Sequence, residues 1–306
     1  MESNSISTTI KLNNGYEMPR IGLGTAGVKD VSNIVYESIK DGLRMIDTAE
    51  IYGNEKEIGE GINKALSEGL VKREELFIVT KLWILRKHEA EASIKDQLSN
   101  LNLSYVDLYL DHWPMSIYKD SKGEQKFTSM HQVWKQMEDL VHNGYTKSIG
   151  VCNYSVQSMM DLLSYASIKP VVNQFEFHPY LNQTNLVKYC QLNDVQVIAY
   201  NSICRGGYVQ RYHSKANLNL LEEDVVKEIA EKYNTTAGLI ALSWALSQGL
   251  MVIPSSSNPR RMKENLKALE FRLAEEDVEK IGKLHIAYRF CGSAQYPFSG
   301  GIDLFA

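Results

Sequence analysis

Short apolar segments alternate with longer amphipathic segments along nearly the whole 306-residue chain. The apolar segments are four to six residues long and rich in β-branched and aromatic residues, which favours strands. They predict strands at 21–24, 45–49, 76–81, 105–110, 148–151, 171–175, 197–200 and 251–254. Helical spacing of apolar residues predicts helices at 31–41, 55–68, 89–101, 129–143, 156–165, 184–193, 222–233, 237–248 and 260–269. Eight strands alternating with helices indicate an α/β protein, a (β/α)8 TIM barrel.

The residues before the first barrel strand predict a β-hairpin. Its arms lie within 8–18, and Asn13-Asn14-Gly15 is typical of the turn between them. We expect this hairpin to precede the barrel and to close its bottom. The whole chain, 1–306, is interpreted as one barrel domain, with the barrel at about 20–270 and a C-terminal helix and tail at about 274–306. The part after about residue 286 shows no periodicity and predicts a loop.

One motif favours a different fold. Gly22-Leu-Gly-Thr-Ala-Gly27 matches G-x-G-x-x-G, and Asp47 follows about twenty residues later, as in a Rossmann dinucleotide site. However, that fingerprint leads directly into a helix, whereas here Val28-Lys-Asp intervenes before helical spacing begins. The regular units also continue to the C-terminus without a change in composition, so the barrel is favoured.

Composition excludes several classes of protein. Apolar residues make up 44% of the chain and charged residues 23%, as in a globular enzyme. A net charge of −4 argues against nucleic-acid binding. The four cysteines have no paired spacing, which indicates reduced thiols rather than disulfides or zinc ligands. A polar N-terminus and short apolar runs predict no signal peptide and no membrane span, so we expect a cytoplasmic protein.

The candidate chemistry lies at the carboxyl ends of the predicted strands, where β/α barrels place their active sites. Asp47 is near the end of the second strand, Tyr52 follows in the loop, Lys81 ends the third strand and His112 follows the fourth. Each alone has an ordinary structural explanation, such as a loop cap, a packed aromatic, a solvated charge or a rim histidine. Together they converge on one barrel mouth, which favours a site.

These four side chains suit the reduction of a carbonyl group. Tyr52 can donate the proton, although the ordinary pKa of a phenol is about 10. The ammonium of Lys81 would favour the phenolate and make Tyr52 a stronger acid, and Asp47 would hold Lys81 in place. His112 would orient or polarise the substrate oxygen, so that the developing alkoxide lies between Tyr52 and His112. No metal is expected, since these groups stabilise the charge.

The segments around these residues resemble the aldo-keto reductase family, in particular its aldose and aldehyde reductases. The matching segments are Asp47-Thr-Ala-Glu-Ile-Tyr-Gly-Asn-Glu55, Val79-Thr-Lys-Leu-Trp83 and Tyr105-Val-Asp-Leu-Tyr-Leu-Asp-His-Trp-Pro114, followed in order by Gly150-Val-Cys-Asn153, Val172-Asn-Gln174, Ala199-Tyr200 and 252–265. The resemblance runs from the hairpin to about residue 270. It implies an NADPH-dependent oxidoreductase that reduces aldehydes, aldoses or ketones to alcohols, with NADH as a second usable cofactor.

The resemblance also implies how the cofactor binds, extended across the barrel mouth. Asn153 and Gln174 would bind the carboxamide, and Tyr200 would stack on the nicotinamide ring. Cys152 replaces the usual serine there, which weakens one contact because a thiol is a weak donor. The remaining implied cofactor contacts are Thr25, Ser202, Ser255, Ser256, Arg261, Glu264 and Asn265. Ser255 replaces a lysine that contacts the 2′-phosphate in many members, whereas Arg261 matches the family arginine.

Trp83, Trp113 and Ala26 are expected to form the substrate pocket, which Ala26 widens where many members carry tryptophan. Asp111 replaces an apolar residue and, by strand alternation, points towards the helix layer. The glycines of Cys204-Arg205-Gly-Gly207 suit a mobile flap over the cofactor at 203–218.

We expect a small carbonyl substrate as the partner, no nucleic acid or membrane, and a monomer or weak dimer. The alternative is a catalytically weak binding or regulatory protein on the same barrel.

Overall fold

A computed structural model describes residues 5–204 and 218–292. A short antiparallel hairpin of β1 (Thr9–Lys11) and β2 (Glu17–Pro19) precedes the main sheet. That sheet is parallel and has eight strands: β3 (Gly22–Gly24), β4 (Met45–Asp47), β5 (Phe77–Leu82), β6 (Val106–Asp111), β9 (Thr146–Cys152), β10 (Val172–Glu176), β11 (Gln196–Tyr200) and β12 (Met251–Val252). Between β6 and β9 lies a second small hairpin, β7 (Tyr118–Lys119) and β8 (Gln125–Lys126), which the sequence pattern did not predict.

The strand order in the sheet is the chain order, and a parallel bridge between Ile21 and Val252 joins its two edges. The predicted (β/α)8 barrel is therefore confirmed. Gly24 lies at this closure, where its N–H donates to the Pro254 carbonyl at 3.1 Å. A Cβ on Gly24 would lie 2.7 Å from the carbonyl oxygen of Ile253, so only glycine fits. The glycine motif thus serves barrel closure, and the Rossmann alternative is wrong.

Helices cover the outside of the barrel. They are α1 (Val31–Lys40), α2 (Glu55–Ser67), α3 (Ala90–Leu101), α4 (Met130–His142), α5 (Val156–Tyr165), α6 (Thr184–Leu192), α7 (Asp224–Lys232), α8 (Ala237–Ser247), α9 (Pro259–Asn265) and α10 (Glu275–Gly282). Most present one apolar stripe to the sheet, whereas α8 is buried around nearly its whole circumference. The predicted helix at 260–269 is α9 followed by a 3₁₀ turn, Leu266–Leu269.

The barrel interior and the hairpin share one apolar cluster. Leu12 and Met18 of the hairpin pack with Met45, Phe77 and Val79 of the barrel. The side-chain amides of the hairpin turn also donate to the carbonyl of Pro170, which precedes β10, and to the hydroxyl of Ser148 within β9, at 3.0 and 2.8 Å. The hairpin therefore closes the amino-terminal end of the barrel, as predicted, and leaves the carboxyl end for the site. The predicted flap lies mostly outside the described residues, as does the tail beyond residue 292.

Candidate active site

The four candidate catalytic residues come together at the carboxyl end of the barrel. Asp47 ends β4, Lys81 lies in β5, and His112 directly follows β6. Tyr52 ends a 3₁₀ turn, Glu50–Tyr52, that follows β4. A cavity of about 340 Å³ opens there, and Asp47, Tyr52 and His112 line it. The sequence pattern placed these residues correctly because parallel strands in a barrel end at one face.

A fully buried ion pair lies at the base of the cavity. Lys81 Nζ donates to Asp47 Oδ1 at 2.6 Å and to the Thr48 carbonyl at 2.8 Å. Gln174 Nε2 donates to the other carboxylate oxygen of Asp47 at 2.7 Å. Both oxygens of Asp47 are therefore used, and each partner fixes its position. Gln174, predicted as a cofactor contact, therefore also orients the Asp47 carboxylate.

Tyr52 lies above this ion pair, with Lys81 Nζ 5.2 Å from the centroid of its ring. Burial raises the pKa of the Tyr52 phenol well above its ordinary value, and the Asp47 carboxylate raises it further. The shift is opposite to the expectation that Lys81 lowers this pKa, because burial dominates and Asp47 compensates the lysine charge. Tyr52 therefore keeps its proton at neutral pH, which is the state that a proton donor requires.

The imidazole of His112 faces Tyr52, with ring centroids 6.1 Å apart and the planes nearly perpendicular. Trp83 packs edge-on against the same ring at 5.2 Å. Burial lowers the pKa of His112 well below its ordinary value, and the ammonium groups of Lys81 and Lys87 lower it further. His112 is therefore neutral, and its Nδ1 has no hydrogen-bond partner among the described residues. A neutral imidazole can donate one hydrogen bond to a substrate oxygen.

The predicted carboxamide-binding residues lie beside His112. Asn153, in a left-handed backbone conformation (φ 63°), donates through Nδ2 to the His112 carbonyl at 3.0 Å. Its Oδ1 accepts from the Tyr200 hydroxyl at 2.8 Å. The thiol of Cys152 lies 3.8 Å from Gln174 Oε1, and burial raises its pKa, so it stays protonated. This amide oxygen of Gln174 accepts only that weak contact in the described structure.

Other predicted contacts divide into two groups. Thr25, Ala26, Trp113, Ser202 and Ser255 line the cavity, whereas Trp83 lies behind His112 and is not among the lining residues. The residues assigned to the adenosine end lie farther along the chain, on the loop after β12 and on α9: Ser256, Arg261, Glu264 and Asn265. The start of that loop lines the cavity, so it leads from the mouth to this second group.

Sequence reasoning missed two residues at the mouth, Glu176 and Cys291. Cys291 lines the cavity, and Glu176 is fully buried at the end of β10. The Glu176 carboxylate accepts from the N–H groups of Phe290 and Cys291 at 3.0 and 2.9 Å, and from Asn201 Nδ2 at 2.9 Å. It thereby ties the C-terminal segment to the barrel. The sequence signal that could have identified Glu176 is a carboxylate directly after the predicted buried strand at 171–175.

Another buried carboxyl group, that of Glu55, lies next to β5. Glu55, at the start of α2, accepts from the Thr80 hydroxyl at 2.7 Å and is 4% exposed. Burial raises the pKa of Glu55 to about 7. This group therefore titrates near neutral pH next to β5, which carries Lys81.

Comparisons with known proteins cover nearly the whole chain. The model of the aldo/keto reductase family matches residues 20–286. The chain is 41% identical to the NAD(P)H-dependent D-xylose reductase I,II of Candida tropicalis, over 92% of this chain and 94% of that protein. It is 39% identical to the NADH-dependent D-xylose reductase of Candida parapsilosis, over 95% of this chain and 96% of that protein.

Among solved structures, a Bombyx mori aldo-keto reductase in complex with NADP matches with a TM-score of 0.87 and 32% identity. The match covers 95% of this chain and 98% of that one. In the described residues, no helix is both long enough and apolar enough to span a bilayer.

Proposed function

The chain belongs to the aldo/keto reductase family, and on this basis we propose that it reduces aldehyde, aldose or ketone carbonyl groups to alcohols, with Tyr52 as the proton donor. The observation that carries this proposal is the pairing of a protonated phenol with a neutral imidazole on one cavity wall. The alternative of a catalytically weak regulatory protein is not favoured, since the relatives are reductases.

The residues of the mouth fit a nicotinamide cofactor. Gln174 Oε1 can accept from a carboxamide N–H, and the Tyr200 ring forms part of the cavity wall. The chemistry that NADPH or NADH supplies when bound is delivery of a hydride to the carbonyl carbon. Asn153 would support the same carboxamide, with Cys152 contributing a weaker contact than a hydroxyl. NADPH is the expected cofactor, with NADH also usable, as the two cofactors in the relatives' names support.

The chain's own residues then handle the proton and the developing charge. Tyr52 donates its proton to the carbonyl oxygen, and the ammonium of Lys81 stabilises the phenolate that forms. Asp47 keeps Lys81 in position, and Gln174 keeps Asp47 in position. His112 donates a hydrogen bond to the same oxygen and thereby orients the carbonyl.

For the substrate, we propose aldoses and small aldehydes. The cavity volume of about 340 Å³ suits a small molecule beside the nicotinamide. Its wall combines hydroxyl and amide groups with Trp113, Ile51 and Ile203, so both polar and apolar carbonyl compounds find complementary surface. Two relatives are named for D-xylose. The test is the loss of reduced-cofactor absorbance with D-xylose, other aldoses, aliphatic aldehydes and ketones. Turnover of none of them would contradict the proposal.

Cofactor preference is assigned to Arg261, whose guanidinium suits a 2′-phosphate. It is exposed at the start of α9. We expect Arg261→Ala to weaken NADPH binding roughly tenfold while NADH binding stays within a factor of about two. Lys263→Ala on the same helix, where Lys263 pairs with Asp41, is the control. An unchanged NADPH-to-NADH affinity ratio in Arg261→Ala would contradict this role of Arg261.

A monomeric or weakly dimeric state and a cytoplasmic location stay predictions.

A further inference from the structure

A second buried ion pair lies outside the four catalytic residues, directly behind His112. Asp111 is the last residue of β6 and has no exposed surface. Its neighbour Leu110 packs in the barrel interior, whereas Asp111 contacts Tyr154 of the apolar cluster outside it, so the Asp111 side chain points outward as strand alternation predicts. Lys87, in the loop after β5, is 1% exposed and pairs with the Asp111 carboxylate. The partner of Asp111, which the sequence left open, is therefore a lysine.

The same lysine bridges two residues that flank His112. Its ammonium group contacts the Asp111 carboxylate on one side and the Trp113 carbonyl on the other. The Tyr154 hydroxyl donates to Asp111 Oδ2 at 2.8 Å. Asn153 Nδ2 donates to the carbonyl of His112 at 3.0 Å. Three consecutive residues, 111–113, are thus each held by a side chain from another segment.

Stability alone does not explain charges at this position. Two buried charges lose their hydration, and a well-packed apolar pair of similar volume is often equally stable or more stable. The charged pair instead fixes the positions of its partners, because the Lys87 ammonium donates to the Asp111 carboxylate and to the Trp113 carbonyl at the same time. Those acceptors lie on either side of the residue that faces the substrate.

We propose that Lys87 and Asp111 are positioning residues for the reduction, which hold His112 and Trp113 against the cavity. The proposal rests on the role of His112 in the proposed function. Lys87 touches neither substrate nor reacting atoms; it acts through the 111–113 backbone. Tyr154 and Asn153 link this backbone to the end of β9, which forms the cofactor side of the mouth.

The ammonium of Lys87 also affects the charge state of His112. The titratable side chains that line the cavity together with His112 are Asp47, Tyr52, Cys152, Tyr200 and Cys291. Outside that lining, the charged groups next to His112 are Lys81 from β5, Lys87 from the next loop and the adjacent Asp111 of β6. Lys81 and Lys87 both lower the pKa of His112, after burial. Removal of Lys87 should therefore raise the pKa of His112, which a purely structural role would not predict.

The test compares Lys87→Met with the double variant Lys87→Met/Asp111→Leu, which leaves no unpaired buried charge and so preserves folding. We expect kcat for an aldehyde with NADPH to fall roughly tenfold to a hundredfold in both, because small misplacements at a reacting centre have effects of this size. NADPH affinity should stay within about threefold. The pKa of His112, followed by NMR and assigned by its loss in His112→Gln, should rise in Lys87→Met, which removes the ammonium alone. The double variant removes a carboxylate together with the ammonium, so it tests the effect on kcat.

The control is Arg73→Met, which breaks an ion pair to Asp107 at the opposite end of the same strand. It should lower the melting temperature without changing kcat or the pKa of His112. A folded double variant with wild-type kcat, or an unmoved His112 titration in Lys87→Met, would overturn the inference. Wild-type activity in His112→Gln would instead show that the proposed role of His112 fails.

Discussion

Replacing Lys81 with methionine removes one ammonium from the centre of the site and keeps a side chain of similar length. The Lys81 Nζ lies 5.2 Å from the centroid of the Tyr52 ring. At an effective dielectric constant of about 20, two unit charges about 5 Å apart interact by about 3 kcal/mol. That energy corresponds to about a hundredfold in rate. Because the phenolate forms only partly in the transition state, we expect kcat to fall between tenfold and a hundredfold.

The same substitution destabilises the protein. Of the two side-chain contacts that the described residues make to the buried Asp47 carboxylate, the hydrogen bond from Gln174 would remain. Leaving a buried charge without its partner costs about 3–5 kcal/mol, which lowers the melting temperature by about 5–8 °C in a chain of this size. The assay is steady-state turnover of an aldehyde with saturating NADPH, well below the variant's melting temperature. Lys147→Met, which breaks a pair to Asp107 at 3.0 Å near the closed end of the barrel, is the control. A folded Lys81→Met protein with a kcat within threefold of wild type would refute the electrostatic role of Lys81.

Three further predictions follow from buried or close-packed positions. Glu55 binds its proton more tightly in the folded state than in the unfolded state. The unfolding free energy of the wild type, measured relative to that of Glu55→Gln, should therefore fall by about 3 kcal/mol as the pH rises from about 4 to about 8. A difference between the two proteins in urea unfolding that stays constant with pH would contradict this. Gly24→Ala should destabilise barrel closure by about 1–3 kcal/mol in thermal unfolding, whereas Gly282→Ala, where a Cβ meets open space, should be nearly neutral. Glu176→Gln should speed hydrogen exchange of the amides at 290–291 roughly tenfold or more, since charged acceptors form the stronger hydrogen bonds, and unchanged exchange would exclude the anchoring role.

The positions of the catalytic candidates could be predicted because they follow from local pattern. The β-branched runs that end at Asp47, Lys81 and His112 mark parallel strands, and the barrel places all their carboxyl ends at one face. Alternation within β6 likewise predicted that Asp111 points outward.

The partners of the buried charges could not be predicted in this way. Lys87 lies in a loop without periodicity, and nothing local indicates that it reaches Asp111. The hydrogen bonds of Glu176 to the segment near residue 290 likewise join parts of the chain that are far apart in sequence. The direction of the Tyr52 pKa shift was also wrong from sequence, because the depth of burial depends on how the turn packs.

The structural role of the glycine motif likewise could not be predicted from its local sequence. Gly22 and Gly24 match a phosphate-binding fingerprint in sequence, yet here each faces a close neighbour, the Met45 side chain for one and the Ile253 carbonyl for the other. The motif alone did not distinguish a turn around a phosphate from close packing in a barrel. The eightfold alternation of strands and helices did so, because it is a property of the whole chain.

The most direct test of the account is the turnover of Tyr52→Phe with an aldehyde and NADPH, measured together with the NADPH dissociation constant from protein fluorescence. Phenylalanine keeps the ring and removes only the hydroxyl that we propose as the proton donor. We predict a fall in kcat by roughly a hundredfold or more with NADPH affinity within about threefold of wild type, since proton donation contributes about 10²–10⁴ in rate. A Tyr52→Phe enzyme that binds NADPH normally and reduces the aldehyde at the wild-type rate would contradict it.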